Sequence, residues 1–204
     1  KWGTAGSGDG ELNGPAGIAI DSAANMVIVD SKNNRIQKFT LDGKFISKFG
    51  SAGSDDGEFD LPWGISLDKN DNIYIADWRN DRVQVFNADG QWQQSFGSSG
   101  DGIGQLSRPS GVGVDDDGDI YVADWMNNRV QVFAPDGRFV TQFLGDAVLS
   151  KWGRDKLNSN PVMIRQWNLA TLNDPDYGKR FAHPCTVRID PNGRVAIIDH
   201  TRGR

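Results

Sequence analysis

Residues repeated at a fixed spacing of 47, four strand-like runs in each repeat and Asp-Gly turns between them predict an all-β fold. The architecture they predict is a β-propeller of four-stranded antiparallel blades. Pro15, Pro62 and Pro109 keep this spacing, as do Asp30, Asp77 and Asp124, and Arg35, Arg82 and Arg129. Pro184, Asp199 and Arg204 stand 75 rather than 47 residues after their counterparts, so a fourth copy follows an insertion of 28 residues. Tyr74 to Phe86 and Tyr121 to Phe133 agree at ten of thirteen positions.

The elements follow in order. First strands are expected in "PAGIAID", "PWGISLD", "PSGVGVD" and "PCTVRID", second strands in "NMVIVD", "NIYIAD", "DIYVAD" and "RVAIID". Third strands are "RIQKF" and two copies of "RVQVF"; fourth strands are "KFISKF", "QWQQSF" and "RFVTQF". β-Branched and aromatic residues fill the strands, while Gly, Asp and Asn fill the turns. "LDGK", "NADGQ" and "APDGR" place Asp-Gly between third and fourth strands, a hairpin signal. The repeats are bounded at 15–50, 62–97, 109–144 and, in part, 184–204, with a helical insertion expected at 145–182. Within it, helical spacing and an Asn160-Pro161 start predict two short helices at about 146–157 and 161–171.

Trp2-Gly3 matches Phe49-Gly50 and Phe96-Gly97, so the chain reads as an arc that opens at the end of one repeat and stops inside another. The open edges of such an arc are expected to invite self-association. No apolar run approaches the ~20 residues of a membrane-spanning helix. A net charge of −5 argues against nucleic acid, whose binding rests on basic side chains. The single cysteine, Cys185, excludes an intrachain disulfide.

The stretch "PWGISLDKNDNIYIADWRNDRVQVFNADGQWQQSFG" resembles an NHL repeat, with its Pro-x-Gly start, its Asp closing the second strand and its Asn-x-Arg-Val-Gln-x-Phe. The resemblance covers nearly the whole chain outside the insertion. It implies a ring of about six blades and says little about function, since NHL propellers serve as protein-binding, RNA-binding and enzymatic modules.

Residues repeated in every blade are expected to be structural. The recurring Asp and Arg read as a turn brace, a carboxylate accepting turn N–H groups and pairing with a guanidinium. Function is expected where blades differ, on the face shared by the fourth-to-first and second-to-third strand loops. Around the first-strand starts that face collects Ala16, Trp63, Ser110, His183 and Cys185. After the repeated Asp it collects Ser31 and Lys32, Trp78 and Arg79, Trp125 and Met126, and His200, Thr201 and Arg202. Trp63, Trp78, Arg79, Trp125, Met126, His183, His200 and Arg202 are therefore candidate ligand contacts, since aromatic residues and Arg are enriched in binding sites. Trp78 and Trp125 serve equally well as packing between blades. Arg188 stands where Ala19, Ser66 and Gly113 stand in other first strands; it is either an anion contact in the central channel or half of a structural ion pair.

These readings predict a binding or scaffold module for a protein, peptide or small ligand, without catalytic residues, metal or cofactor. The alternative is a metal-dependent lyase or hydrolase working at the channel. Only His183 and His200 are available as histidine ligands, and three protein ligands are usual for catalytic zinc.

Overall fold

The computed structural model describes residues 3–145, 165, 180–190 and 192–199. The helices expected at 146–157 and 161–171 fall almost wholly outside them. Three four-stranded antiparallel sheets follow one another, each in simple sequence order. The first comprises Ile18–Ile20, Asn25–Asp30, Arg35–Thr40 and Phe45–Phe49. The second comprises Pro62–Leu67, Ile73–Asp77, Arg82–Phe86 and Trp92–Phe96; the third Pro109–Val114, Ile120–Asp124, Arg129–Phe133 and Phe139–Phe143. Pro184–Ile189 and Val195–Asp199 form a further antiparallel pair. The first strand of blade one begins at Ile18 rather than at Pro15, although Ala16 N–H still donates to Val29 O at 3.0 Å.

Each third-to-fourth hairpin turns on a Gly with positive φ, 86° at Gly43, 79° at Gly90 and 80° at Gly137. Only Gly adopts that conformation without steric cost, which explains the Asp-Gly signature. The ladder then slips by one residue beside Phe39, Phe86 and Phe133.

The core lies at the seams between blades. One cluster joins Val27, Val29 and Ile36 of blade one to Ile65, Ile75 and Phe86 of blade two. Another joins Val83, Val85 and Phe96 of blade two to Val112, Val122 and Phe133 of blade three. Second strands are buried on both faces, so they read as nearly continuous apolar runs. First strands pack side by side, and the Gly of each Pro-x-Gly sits at the contact. A Cβ on Gly64 would lie 2.7 Å from Gly111 Cα, and one on Gly111 2.6 Å from Thr186 Cα.

The repeated Asp and Arg form the expected brace, but it holds more than a turn. Asp77 Oδ2 accepts from Arg82 Nε at 2.9 Å, Asn80 Nδ2 at 2.9 Å and Gln84 Nε2 at 3.1 Å, while Oδ1 accepts the Asp60 N–H at 3.0 Å. Arg82 Nη2 reaches on to the carbonyls of Asp55 and Glu58, both at 2.8 Å, and Gln84 Nε2 to Glu58 O at 2.6 Å. The glycine-rich connector is thus bound to its own blade. Blades one and three repeat the arrangement through Asp30, Arg35 and Gln37 and through Asp124, Arg129 and Gln131. All three Gln side chains are fully buried. Burial pushes the Asp77 carboxyl above its ordinary value, against the bonds from Asn80, Asp60 N–H and Arg82. In the fourth copy Asp199 Oδ2 accepts the Ala182 N–H at 2.8 Å.

Candidate functional site

After each braced Asp the chain makes one turn before the third strand, a 3₁₀ helix at Ser31–Asn33 and Trp78–Asn80 and an irregular turn in blade three. A left-handed residue closes it: Asn34, Asp81 or Asn128, with φ of 52°, 52° and 54°. The side-chain Oδ1 of that residue accepts the N–H of the residue preceding the next proline. The distances are 2.7 Å from Leu61, 2.7 Å from Arg108 and 2.9 Å from His183. Those three residues are themselves left-handed, with φ of 51°, 54° and 62°. The staple brings the pre-proline side chain against the residue that follows the preceding blade's Asp. The Arg108 guanidinium lies 5.0 Å from the centre of the Trp78 ring, and His183 stacks on Trp125 with centroids 4.5 Å apart and planes at 30°.

Trp63, the second residue of its first strand, is 48% exposed. Its ring stands 6.2 Å from that of Trp78, which stands 6.4 Å from that of Trp125. Trp63, Trp78, Trp125 and His183 therefore form one unbroken aromatic row. Trp63, Trp78, Ser110, Trp125 and Cys185 line an open cavity of about 280 Å³. The side-chain heteroatoms of Ser110 and Cys185 are engaged: Ser110 Oγ donates to Pro184 O at 2.9 Å, and Cys185 Sγ to His183 O at 3.3 Å. His183 Nδ1 lies 3.1 Å from Trp125 O. What the cavity offers a ligand is apolar ring surface.

The remaining candidates divide. Arg79 is exposed at the rim, 6.0 Å from the Trp78 centroid and 3.8 Å from the Asp60 carboxylate. Met126 is half exposed; its N–H donates to Ser107 O at 3.1 Å, and its side chain lines no part of the cavity. Arg188 stands apart. Its Nη1 donates to the carbonyls of Ile65, Val112 and Val187 at 3.2, 3.4 and 3.2 Å, so it bridges first strands through backbone oxygen. No ion pair to Arg188 forms among the described residues. His200 and Arg202 lie outside the described residues. Arg108 escaped the sequence reading. Its signal was the pre-proline position, which changes as freely as its neighbours: Gly14, Leu61, Arg108, His183.

A larger cavity, about 600 Å³, opens at the other end of the strands beside Asp115, Asp116, Asp117 and Asp190. Asp115 and Asp190 close the first-to-second strand turns there, accepting N–H groups two and four residues on. Asp68 repeats both bonds and Asp21 the one from four residues on, so the device is structural and the aromatic face is the better candidate. Among the described residues no three His, Cys, Asp or Glu side chains converge to hold a metal ion.

Comparison with known proteins agrees with the repeat. The NHL repeat family matches residues 12–39, 59–86 and 106–133. Protein lin-41 of Caenorhabditis elegans is 51% identical over 47 residues, which are 23% of this chain and 4% of that protein. Among solved structures, a streptogramin B lyase superposes with a TM-score of 0.60 at 12% identity, over 92% of this chain and 49% of that one. The hydrazine synthase of Kuenenia stuttgartiensis gives 0.59 at 16%, over 95% and 48%. A protein of unknown function from Bacteroides thetaiotaomicron gives 0.58 at 20%, over 93% and 45%. At such identities the likeness is one of fold, and the chain spans about half the length of these structures.

Proposed function

We propose, for a chain that belongs to the NHL-repeat propellers, that it is a binding module whose ligand, a peptide or protein segment, docks on the aromatic face. The observation that carries this reading is the row of Trp63, Trp78, Trp125 and His183, whose three tryptophans line a cavity of about 280 Å³. Trp63 and His183 stand at positions that differ in every blade, Trp78 and Trp125 share one that blade one fills with Ser31, and the braces that hold them recur. The volume lies at the lower end of the ~300–1,000 Å³ typical of ligand pockets, so it suits one or two inserted side chains rather than a large cofactor. Trp63, exposed and unneeded by the core, is the anchor.

The test is a titration of the full chain with short peptides, followed through the tryptophan indole N–H resonances. Binding peptides are expected to shift the signals of Trp63, Trp78 and Trp125 together. Trp63→Ala should weaken them by roughly 2 kcal/mol, about thirtyfold, without changing thermal stability. Peptides that bind equally well to Trp63→Ala overturn the reading.

We also propose that the bare face of blade one associates with a second copy. Ile18 is 51% exposed, while its counterparts Ile65 and Val112 are fully buried by the preceding blade. Ile198 is 56% exposed, while Val29, Ala76 and Ala123 are buried. The two bare faces belong to opposite ends of the described arc and fit a blade-on-blade contact.

A further inference from the structure

We infer that the aromatic face selects an aromatic side chain that carries a carboxylate beside it, such as a C-terminal Phe or a Phe followed by an acidic residue. The inference rests on the binding reading above and adds the chemistry of the occupant. Its basis is the contrast between the cavity and its rim. The polar atoms of Ser110 and Cys185 point their bonds at backbone carbonyls, so what the cavity presents is the surface of the tryptophan rings. Arg108 lies outside that lining, against the lining residue Trp78. Its guanidinium stacks on Trp78 at 5.0 Å and donates from Nη1 to Arg79 O at 3.0 Å. No carboxylate comes within salt-bridge distance of it among the described residues.

Asp81 and Asp60, the acids that meet the Arg108 backbone and Arg79, have other partners. Asp81 Oδ1 accepts the Arg108 N–H and its Oδ2 the Ser99 hydroxyl, while Asp60 faces Arg79. Arg108 is thus a half-buried cation, pinned at one nitrogen, with the rest of its planar donor set unclaimed beside an apolar pocket. That fork matches the two oxygens of a carboxylate, and the low-polarity surroundings of Trp78 strengthen the pairing over what open water would allow. A ring seated between the tryptophans places an adjacent carboxylate at this rim. The chain carries −5 overall, so a single carboxylate suits the site better than a chain of phosphates.

The experiment compares acetyl-Gly-Phe with a free carboxylate against the same peptide as its C-terminal amide, on the full chain, by indole N–H shifts. The acid should bind roughly tenfold more tightly than the amide at low salt, with the gap narrowing as salt is added. Arg108→Gln should bring the acid down to the affinity of the amide and leave the amide unchanged. Trp63→Ala should weaken both. Equal affinity of acid and amide for the wild type, with both lost in Trp63→Ala, overturns the carboxylate preference and leaves the binding site standing. Binding of neither peptide removes both. A uridine tetranucleotide that shifts the same signals at lower concentration than the acid overturns the inference in favour of phosphate.

Discussion

A single carboxylate, Asp77, gathers Arg82, Asn80, Gln84 and a connector N–H, and the repeated Asn, Arg and Gln of the sequence are its partners. Breaking a buried pair by removing one member leaves a charge unpaired at a cost of about 3–5 kcal/mol. Arg82→Ala should lower the urea midpoint by the equivalent of about 3 kcal/mol, discounted toward the lower end because Arg82 is partly exposed. At the first-to-second strand turn, Ala24 holds φ of 61° and is exposed; its counterparts include Gly118 and Gly193. Ala24→Gly relieves a left-handed strain of about 1 kcal/mol, and scanning calorimetry should show Tm rising by about 2–4 °C. Asp21, in the same turn, pairs with Lys38 at 2.7 Å. Burial alone pushes its carboxyl up, but bonds from Lys38 and Asn25 and the Lys38 charge bring it down to about 2. A depressed carboxylate stabilises the fold fully above its ordinary 3.8 and loses that contribution as the pH falls toward about 2. Between those values the urea midpoint of the wild type should fall more steeply than that of Lys38→Met.

Between elements, contact geometry decides what the chain tolerates. Gly64 and Gly57 are both glycines, yet they answer differently to a methyl group. A Cβ at Gly64 meets Gly111 Cα and Ser110 O at 2.7 Å, backbone that cannot swing aside, whereas Gly57 has nothing within 4 Å. Gly64→Ala should destabilise by about 3 kcal/mol or more, because the clash is with backbone and forces first strands apart. Gly57→Ala should lose only about 1–2 kcal/mol from its positive φ. Equal denaturation midpoints for the two variants would show that first strands do not pack as closely as described. The connectors follow the same logic. They read as glycine-rich loops, but each carries a short parallel pairing, Thr4–Ala5 with Glu11–Leu12, Ser51–Ala52 with Glu58–Phe59, and Ser99 with Leu106. The Arg and Gln of the brace hold these pairings against the blade.

For the molecule as a whole, stability resides in seams, so each blade depends on its neighbours. Phe49 of blade one packs on Phe86 of blade two at 4.8 Å, and Phe96 of blade two on Phe133 of blade three at 4.9 Å. A blade face without a neighbour exposes what others bury, as Ile18, Ile20 and Ile198 do. Light scattering on the 204-residue chain should therefore give a mass above that of one copy, 22.4 kDa. Ile18→Lys should shift it toward the monomer. A monomer at every concentration would remove the association proposed for this face.

The blade was legible in the sequence because its causes are local or repeated: Asp-Gly turns with positive φ, β-branched runs, and polar residues that recur at one spacing. The sequence also grouped several loop residues on one face, and the structure brings the rings of four of them into one row. These are Trp63, Trp78, Trp125 and His183. Tertiary structure decided what no spacing shows. The left-handed Arg108 is stapled to Asp81 of the preceding blade, and so meets Trp78, thirty residues back along the chain. Arg188 found backbone carbonyls across the first strands rather than an acid. The buried Gln residues proved to be part of the brace because a connector, distant in sequence, brings its carbonyls to them. Repetition records the forces inside a blade; contacts between blades depend on how far one sheet turns against the next, and that is set by packing alone.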